Sequence, residues 1–187
     1  MLFLVACGTG KTQTTDANDN SHEKEEIPIA KEAWMDFDKD EEVSYVDLYQ
    51  YGRLKLPGRW QHSDGEPPRY FGYKNSENHM LRLDRGLLDT MSFYSDGITK
   101  AILLTKLYEQ GTSIWKEKKT GDLQIIEQNN ETIIAMLTID SADSANKIYL
   151  LCGLKDRKTM TLYLVPKRPA DLNSTNLLKR IYKDWSK

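Results

Sequence analysis

The chain has 187 residues, 29% of them charged and 39% hydrophobic, with a net charge of -2 and 18 aromatic residues. That composition excludes a polytopic membrane protein and a wholly disordered chain, and it supplies apolar volume for one ordinary domain. Two cysteines exclude a disulfide-rich scaffold and an all-thiolate zinc site, and the three histidines, His22, His62 and His79, stand too far apart for a histidine-rich metal centre.

The first seven residues, Met1-Leu2-Phe3-Leu4-Val5-Ala6-Cys7, are uncharged, apolar and end on a cysteine. A bilayer span needs about 20 apolar residues, so the run reads instead as the end of a secretory apolar region meeting a small-residue cleavage site. Leu4-Val5-Ala6-Cys7 resembles the lipobox of bacterial lipoproteins. The resemblance implies that residues 1–6 are a partial signal peptide and that its charged start lies upstream of Met1. It also implies cleavage before Cys7 and a diacylglycerol on the Cys7 thiol. Each buried methylene contributes roughly 0.8 kcal/mol, so several acyl chains together hold a soluble domain on a membrane. The overlapping Gly8-Thr9-Gly10-Lys11-Thr12 imitates a phosphate-binding loop. That loop requires a glycine five residues before Gly10, where Val5 stands, and a buried strand ahead of it. We set an NTPase aside on those grounds.

Charge divides the rest. Residues 1–42 carry 11 acids against four lysines, a net of -7, whereas 43–187 carry 17 acids against 22 bases. The pattern predicts a solvated acidic tether over 7–30, and a basic excess too dispersed to serve as a nucleic-acid platform. Residues 31–50 mix acids with Trp34, Phe37, Val43, Tyr45, Val46, Leu48 and Tyr49. They read as a transition segment containing a short helix, ahead of a single domain over 51–187.

Within that domain, alternation and β-branched or aromatic content predict strands at 53–56, 69–74 and 80–84, forming an antiparallel meander. The stretch 64–68 (Asp-Gly-Glu-Pro-Pro) reads as a loop. Helical spacing over 98–110 places Ala101, Leu104, Leu107, Tyr108 and Gly111 on one stripe, with Gly111 expected to end or bend the element. Four strands follow at 123–127, 132–139, 147–154 and 159–165. The second and third are apolar on both faces, as strands covered on both sides are. A terminal amphipathic helix over 174–185 lines up Leu177, Leu178, Ile181, Tyr182 and Trp185. The order βββ-α-ββββ-α predicts class α+β, with an antiparallel sheet of about seven strands flanked by helices.

Leu56-Pro57-Gly58-Arg59-Trp60, Arg69-Tyr70-Phe71-Gly72-Tyr73-Lys74-Asn75, Phe93-Tyr94 and Lys106-Leu107-Tyr108-Glu109, followed by a meander and a helix, carry a second resemblance. Over about residues 50–187 the chain is similar to small lipoproteins with a PsbP/Mog1-like α/β/α sandwich. Those families are accessory proteins, one binding a photosynthetic complex and the other a small GTPase. The resemblance brings no catalytic motif to these positions.

Candidate chemistry is sparse. Cys152, between Leu151 and Gly153, reads as a buried small hydrophobe rather than a nucleophile. His62 and His79, near Asp64, Glu66, Glu77 and Asp84, show no metal-ligand or paired-carboxylate spacing, and their loop-end positions favour exposure. Ser92, Ser95 and Ser113 stand in no nucleophile elbow. The more suggestive set is aromatic and basic: Arg59, Trp60, Arg69, Tyr70, Tyr73, Arg82 and Arg85 form the candidate binding surface, or else cover the sheet with arginines at its rim. The expectation is a lipid-anchored envelope protein facing the periplasm, with no catalytic residue, metal or cofactor. It acts as a binding or assembly accessory to an envelope protein partner on the same membrane. The alternative is a small-ligand binder or enzyme using residues 59–85.

Overall fold

Strands begin earlier than the acidic composition suggests. In a computed structural model that describes residues 34–63, 71–119, 121–141, 144–167 and 173–185, β1 (Trp34–Asp38) and β2 (Val43–Asp47) form an antiparallel hairpin, and β3 (Arg53–Pro57) pairs with β2. The segment read as a transition with a short helix is therefore strand for most of its described length, with one 3-10 turn at Tyr49–Tyr51. Its acids do not prevent this, because Asp36, Asp40, Glu41, Glu42 and Asp47 are exposed while Val43, Val46 and Leu48 point inward.

Seven further strands make the main sheet: β4 (Trp60–His62), β5 (Phe71–Asn75), β6 (Met80–Leu87), β7 (Asp122–Gln128), β8 (Thr132–Ser141), β9 (Ser144–Lys155) and β10 (Lys158–Val165). They lie in the order β4-β5-β6-β10-β9-β8-β7, antiparallel throughout. The expected count of seven holds, but the membership differs. The strand at 53–56 belongs to the three-stranded sheet, and Trp60–His62, read from sequence only as residues after a turn, takes an edge of the large one. The chain changes sheets at Pro57-Gly58, where Pro57 has no N–H to extend the ladder and Gly58 adopts φ +80°. The buried Ser44 hydroxyl fixes the crossing, donating to Gly58 O at 2.9 Å and accepting from Trp60 N–H at 2.8 Å.

Two helices cover the sheet from opposite sides. α1 (Lys100–Lys118) is capped by Thr99, whose side chain accepts from Ile102 N–H. It buries Leu103, Leu104, Leu107 and Tyr108 against Ile133, Ala135, Leu150 and Cys152. Ala101, expected on that stripe, is exposed, and Leu103 takes its place. Nor does Gly111 end the helix. A Cβ there would meet the Tyr163 hydroxyl at 3.3 Å and Thr161 Cγ2 at 3.4 Å, so the glycine is what lets α1 lie close on the strands. α2 (Ser174–Lys183), capped by Asn173, lays Leu178, Ile181 and Tyr182, with Trp185 beyond its end, on the other face. There they join Ile134, Leu151, Met160, Leu162 and Leu164, together with Val46, Leu54 and Leu56 of the small sheet and Leu48 just after β2. Residues of β8 and β9 thus alternate between the two cores, as their two-sided apolar pattern predicts. The result is a three-layer α+β sandwich.

Candidate functional site

α1 rests on β8, β9 and β10, and between it and β6 a cleft of about 750 Å³ opens. Strand alternation decides what faces it. On β6, Leu81 and Leu83 enter the α2-side core, so Met80, Arg82, Asp84 and Gly86 take the α1 side. Register then sets the order along the floor. Met80 lies opposite Val165, Arg82 opposite Tyr163, Asp84 opposite Thr161 and Gly86 opposite Thr159. One end is apolar and open, with Met80 49%, Ile114 53% and Val165 36% exposed. The other end is polar and closed, with Thr159 and Thr161 buried and the Met91 methyl lying over Gly86.

The groups between these ends are positioned. Tyr163 donates its hydroxyl to Gly111 O at 3.2 Å, and its ring meets Trp115 edge-on at 5.6 Å. The Arg82 guanidinium stands 5.6 Å from the same ring's centre. Burial pushes the Asp84 carboxyl above its ordinary range, against the pull of the Arg85 backbone N–H and of the Arg82 and Arg85 charges. Among the described residues no cation comes within ion-pair distance of Asp84. Such a cleft, with apolar walls and a few converging polar groups, has the character of a ligand site.

The chain is similar to a PsbP. The solution structure of the cyanobacterial PsbP (CyanoP) from Synechocystis matches it with a TM-score of 0.46 and 9% identity, over 86% of this chain and 95% of that one. At that score the likeness is one of outline, and nothing about the cleft is taken from it. No protein-family model and no curated protein sequence matches the chain.

The aromatic and basic residues singled out in the sequence do not converge. Trp60 is buried in the α2-side core, its indole N–H donating to Pro57 O at 2.8 Å. Tyr73 is fully buried in the same core, and its desolvated hydroxyl has a raised pKa and no hydrogen-bond partner among the described residues. Arg85 faces that side too, 4.9 Å from the Tyr51 ring centre, and Arg59 is exposed beside Phe37. Arg69, Tyr70, the loop at 64–68, Cys7 and the whole stretch 1–30 lie outside the described residues. Of the described members of the set, Tyr73, Arg82 and Arg85 border the cleft, and strand alternation puts Arg82 on its α1 side. Its companions there, Asp84, Tyr163 and Trp115, come from three elements that only the fold assembles.

His79 corrects an expectation. It is 4% exposed, with Nδ1 accepting from Lys167 N–H at 3.0 Å, so Nε2 carries the proton and donates to the Glu77 carboxylate at 2.8 Å. Both ring nitrogens are thereby engaged in holding a turn. Cys152 is fully buried, and burial raises its thiol pKa to about 12. An unfolded chain releases that proton near pH 9, whereas the folded one keeps it until about 12. The folded state therefore binds more protons across that window, and stability falls as pH rises through it, by up to about 1.4 kcal/mol per unit. Cys152→Ala is expected to lose correspondingly less stability than the native chain between pH 8 and pH 10.5 in urea titrations. Tyr182, also raised to about 12, contributes equally to both chains. Identical pH slopes would mean that Cys152 is not the source.

Proposed function

We propose that the chain is a membrane-anchored, non-catalytic binding protein, held in a cell envelope and facing the periplasm through a lipid on Cys7, whose domain takes a ligand in the α1–β6 cleft. The observation that carries the reading is the cleft itself, a cavity of about 750 Å³ with a half-buried carboxylate, a guanidinium and two aromatic rings set between apolar walls. The engagement of His79 and the buried, protonated Cys152 support binding rather than chemistry, because neither offers a base or nucleophile to a substrate. Tethering supports the same reading, since it raises the local concentration of the domain toward a partner on the same membrane. Among the described residues no helix is long and apolar enough to cross a membrane; the anchor in this reading is the lipobox-like Leu4-Val5-Ala6-Cys7.

Two measurements test the two halves. Palmitate labelling in cells is expected to mark the native chain and not Cys7→Ser. A thermal-shift screen of metabolites is expected to yield ligands whose shifts vanish in Ile114→Arg. Ile114 is 53% exposed on the cleft wall, so this substitution itself moves Tm by no more than about 2 °C. Shifts that survive in Ile114→Arg would put the ligand elsewhere, and a Cys7→Ser chain that still labels would remove the anchor.

A further inference from the structure

What the cleft lacks is hydrogen-bond partners rather than charge. Asp84 already lies in the field of Arg82 and Arg85, both of which have contacts of their own. Its carboxylate accepts from the Arg85 backbone N–H and from no other described residue. An ionised carboxylate offers about four acceptor positions, so most of that capacity is open to the cleft. Thr159 lies diagonally across on β10 and is 1% exposed, yet its hydroxyl bonds no described residue and stands toward Gly86 on the α1 side. Gln110 lines the opposite wall, and its side-chain amide, both donor and acceptor, is likewise unbonded among the described residues. Around these three groups the walls are apolar, with Ile114 and Trp115 on α1 and Met80 and Val165 on the strands. A purely apolar ligand would leave all three unbonded, and a single charged head would bond one and strand the others. A neutral ring carrying several hydroxyls meets the whole set. Each hydroxyl both donates, to a carboxylate or amide oxygen, and accepts, from the threonine hydroxyl or the amide N–H.

Resting on the reading of this cleft as the binding site, we infer that it takes a neutral saccharide. Asp84 accepts from two adjacent ring hydroxyls, one on each carboxylate oxygen. Thr159 and Gln110 bond the hydroxyls that point to the closed end and to α1, and the C–H face of the ring packs on Trp115 and Ile114. Hydroxyl bonds to a carboxylate are charge-assisted and stronger than those between neutral groups, so Asp84 is the anchor of the three. Trp115 is set in place by its edge-on contact with Tyr163, whose hydroxyl is fixed on Gly111 O. The volume of about 750 Å³ lies within the roughly 300–1,000 Å³ of small-molecule sites and leaves room for one or two sugar rings.

The test uses the full chain, labelled with 15N, and a panel of uncharged sugars: glucose, galactose, mannose, N-acetylglucosamine, maltose and cellobiose. Benzylamine and cyclohexanol serve as the cationic and the apolar comparison. At least one sugar is expected to shift amides of β6, β10 and the second half of α1, and to bind at least about tenfold more tightly than either comparison compound. Asp84→Asn keeps the shape of the side chain but gives up its charged acceptor, and is expected to weaken that sugar by about tenfold. Thr159→Val removes only the hydroxyl and is expected to weaken it by about threefold. Both variants are expected to keep a folded amide spectrum. A sugar affinity unchanged by both substitutions would overturn the inference. So would benzylamine binding as tightly as the best sugar, which would assign the cleft to a cation. If cyclohexanol shifts the cleft amides and no sugar does, the saccharide class fails while the cleft stands as a binding site. If no probe shifts them, both readings fail together.

Discussion

An alanine at Gly153 is expected to destabilise the domain by about 3 kcal/mol or more. Gly153 lies on β9, paired with Met160 on one side and Thr132 on the other, and its missing side chain is replaced by the ring of Tyr182. A Cβ there would stand 2.2 Å from Cε2 of that ring, with Cδ2 and Cζ both within 3 Å. The ring cannot step aside. Its hydroxyl donates to Leu154 O at 2.8 Å, and the neighbouring Trp185 is fixed by its indole N–H on Tyr51 O at 2.7 Å and by Lys155 Nζ on its carbonyl at 2.6 Å. Either β9 bends in the middle of the sheet or α2 lifts. Overpacking alone costs about 1–3 kcal/mol, and undocking Tyr182 adds its lost burial and hydrogen bond. Urea unfolding measures the sum. Gly153→Ala combined with Tyr182→Leu is expected to recover part of the loss, because the smaller side chain leaves room for the new methyl. Purely additive penalties would show that the two residues do not compete for one space.

The parts of this fold legible in the sequence are those where burial imposes a period. The two-sided apolar runs at 132–139 and 147–154 gave the covered strands, and the stripe from Leu177 to Trp185 gave α2, within two residues at either end. What failed was local. Residues 31–50 read as a transition segment with a short helix because exposed acids interrupt the alternation of the strands at 34–38 and 43–47, although Val43 and Val46 carry the buried face. Trp60–His62 is too short for periodicity to register, and it is a strand only because Ser44 and β5 hold it. Gly111 reads as a helix breaker on propensity, whereas close packing on Tyr163 and Thr161 needs a glycine there. In each case a long-range contact overrules the local preference.

The candidate site divides in the same way. Aromatic and arginine content marked the stretch 59–85, but strand alternation sends Tyr73 and Arg85 to one side of the sheet and Arg82 to the other. One signal was present in the sequence: Arg82 and Asp84 alternate with Leu81 and Leu83, which puts two opposite charges on the face away from the leucines. Their partners were out of reach, since Trp115 and Tyr163 join them only once α1 has crossed the sheet and β10 has paired with β6.

Gly121→Ala faces the same 2.2 Å collision as Gly153→Ala, and the consequence is expected to differ. Here the obstacle is the carbonyl oxygen of Thr138, part of a backbone that no rotamer change can move, and Gly121 sits at φ +135°, where an L side chain is strained by about 1–3 kcal/mol. The next residue, Asp122, pairs with Thr138, so the strain falls on the first rung between β7 and β8. β7 is the sheet's edge, bulged between Ile125 and Glu127, with only Leu123 and Glu127 half-buried. Its detachment gives up little core. The expected result is local: amides of Asp122–Gln128 lose exchange protection by a factor of about 100 while those of β9 and β10 change little. The second effect is larger in practice. With β7 released, the full length of β8, carrying Ile133, Ile134 and Leu137, becomes an open edge, which is the geometry that recruits another chain. Gly121→Ala is therefore expected to associate in sedimentation at concentrations where Gly153→Ala unfolds as a monomer. A monomeric Gly121→Ala that loses stability across every strand alike would mean that β7 is bound into the global cooperative unit.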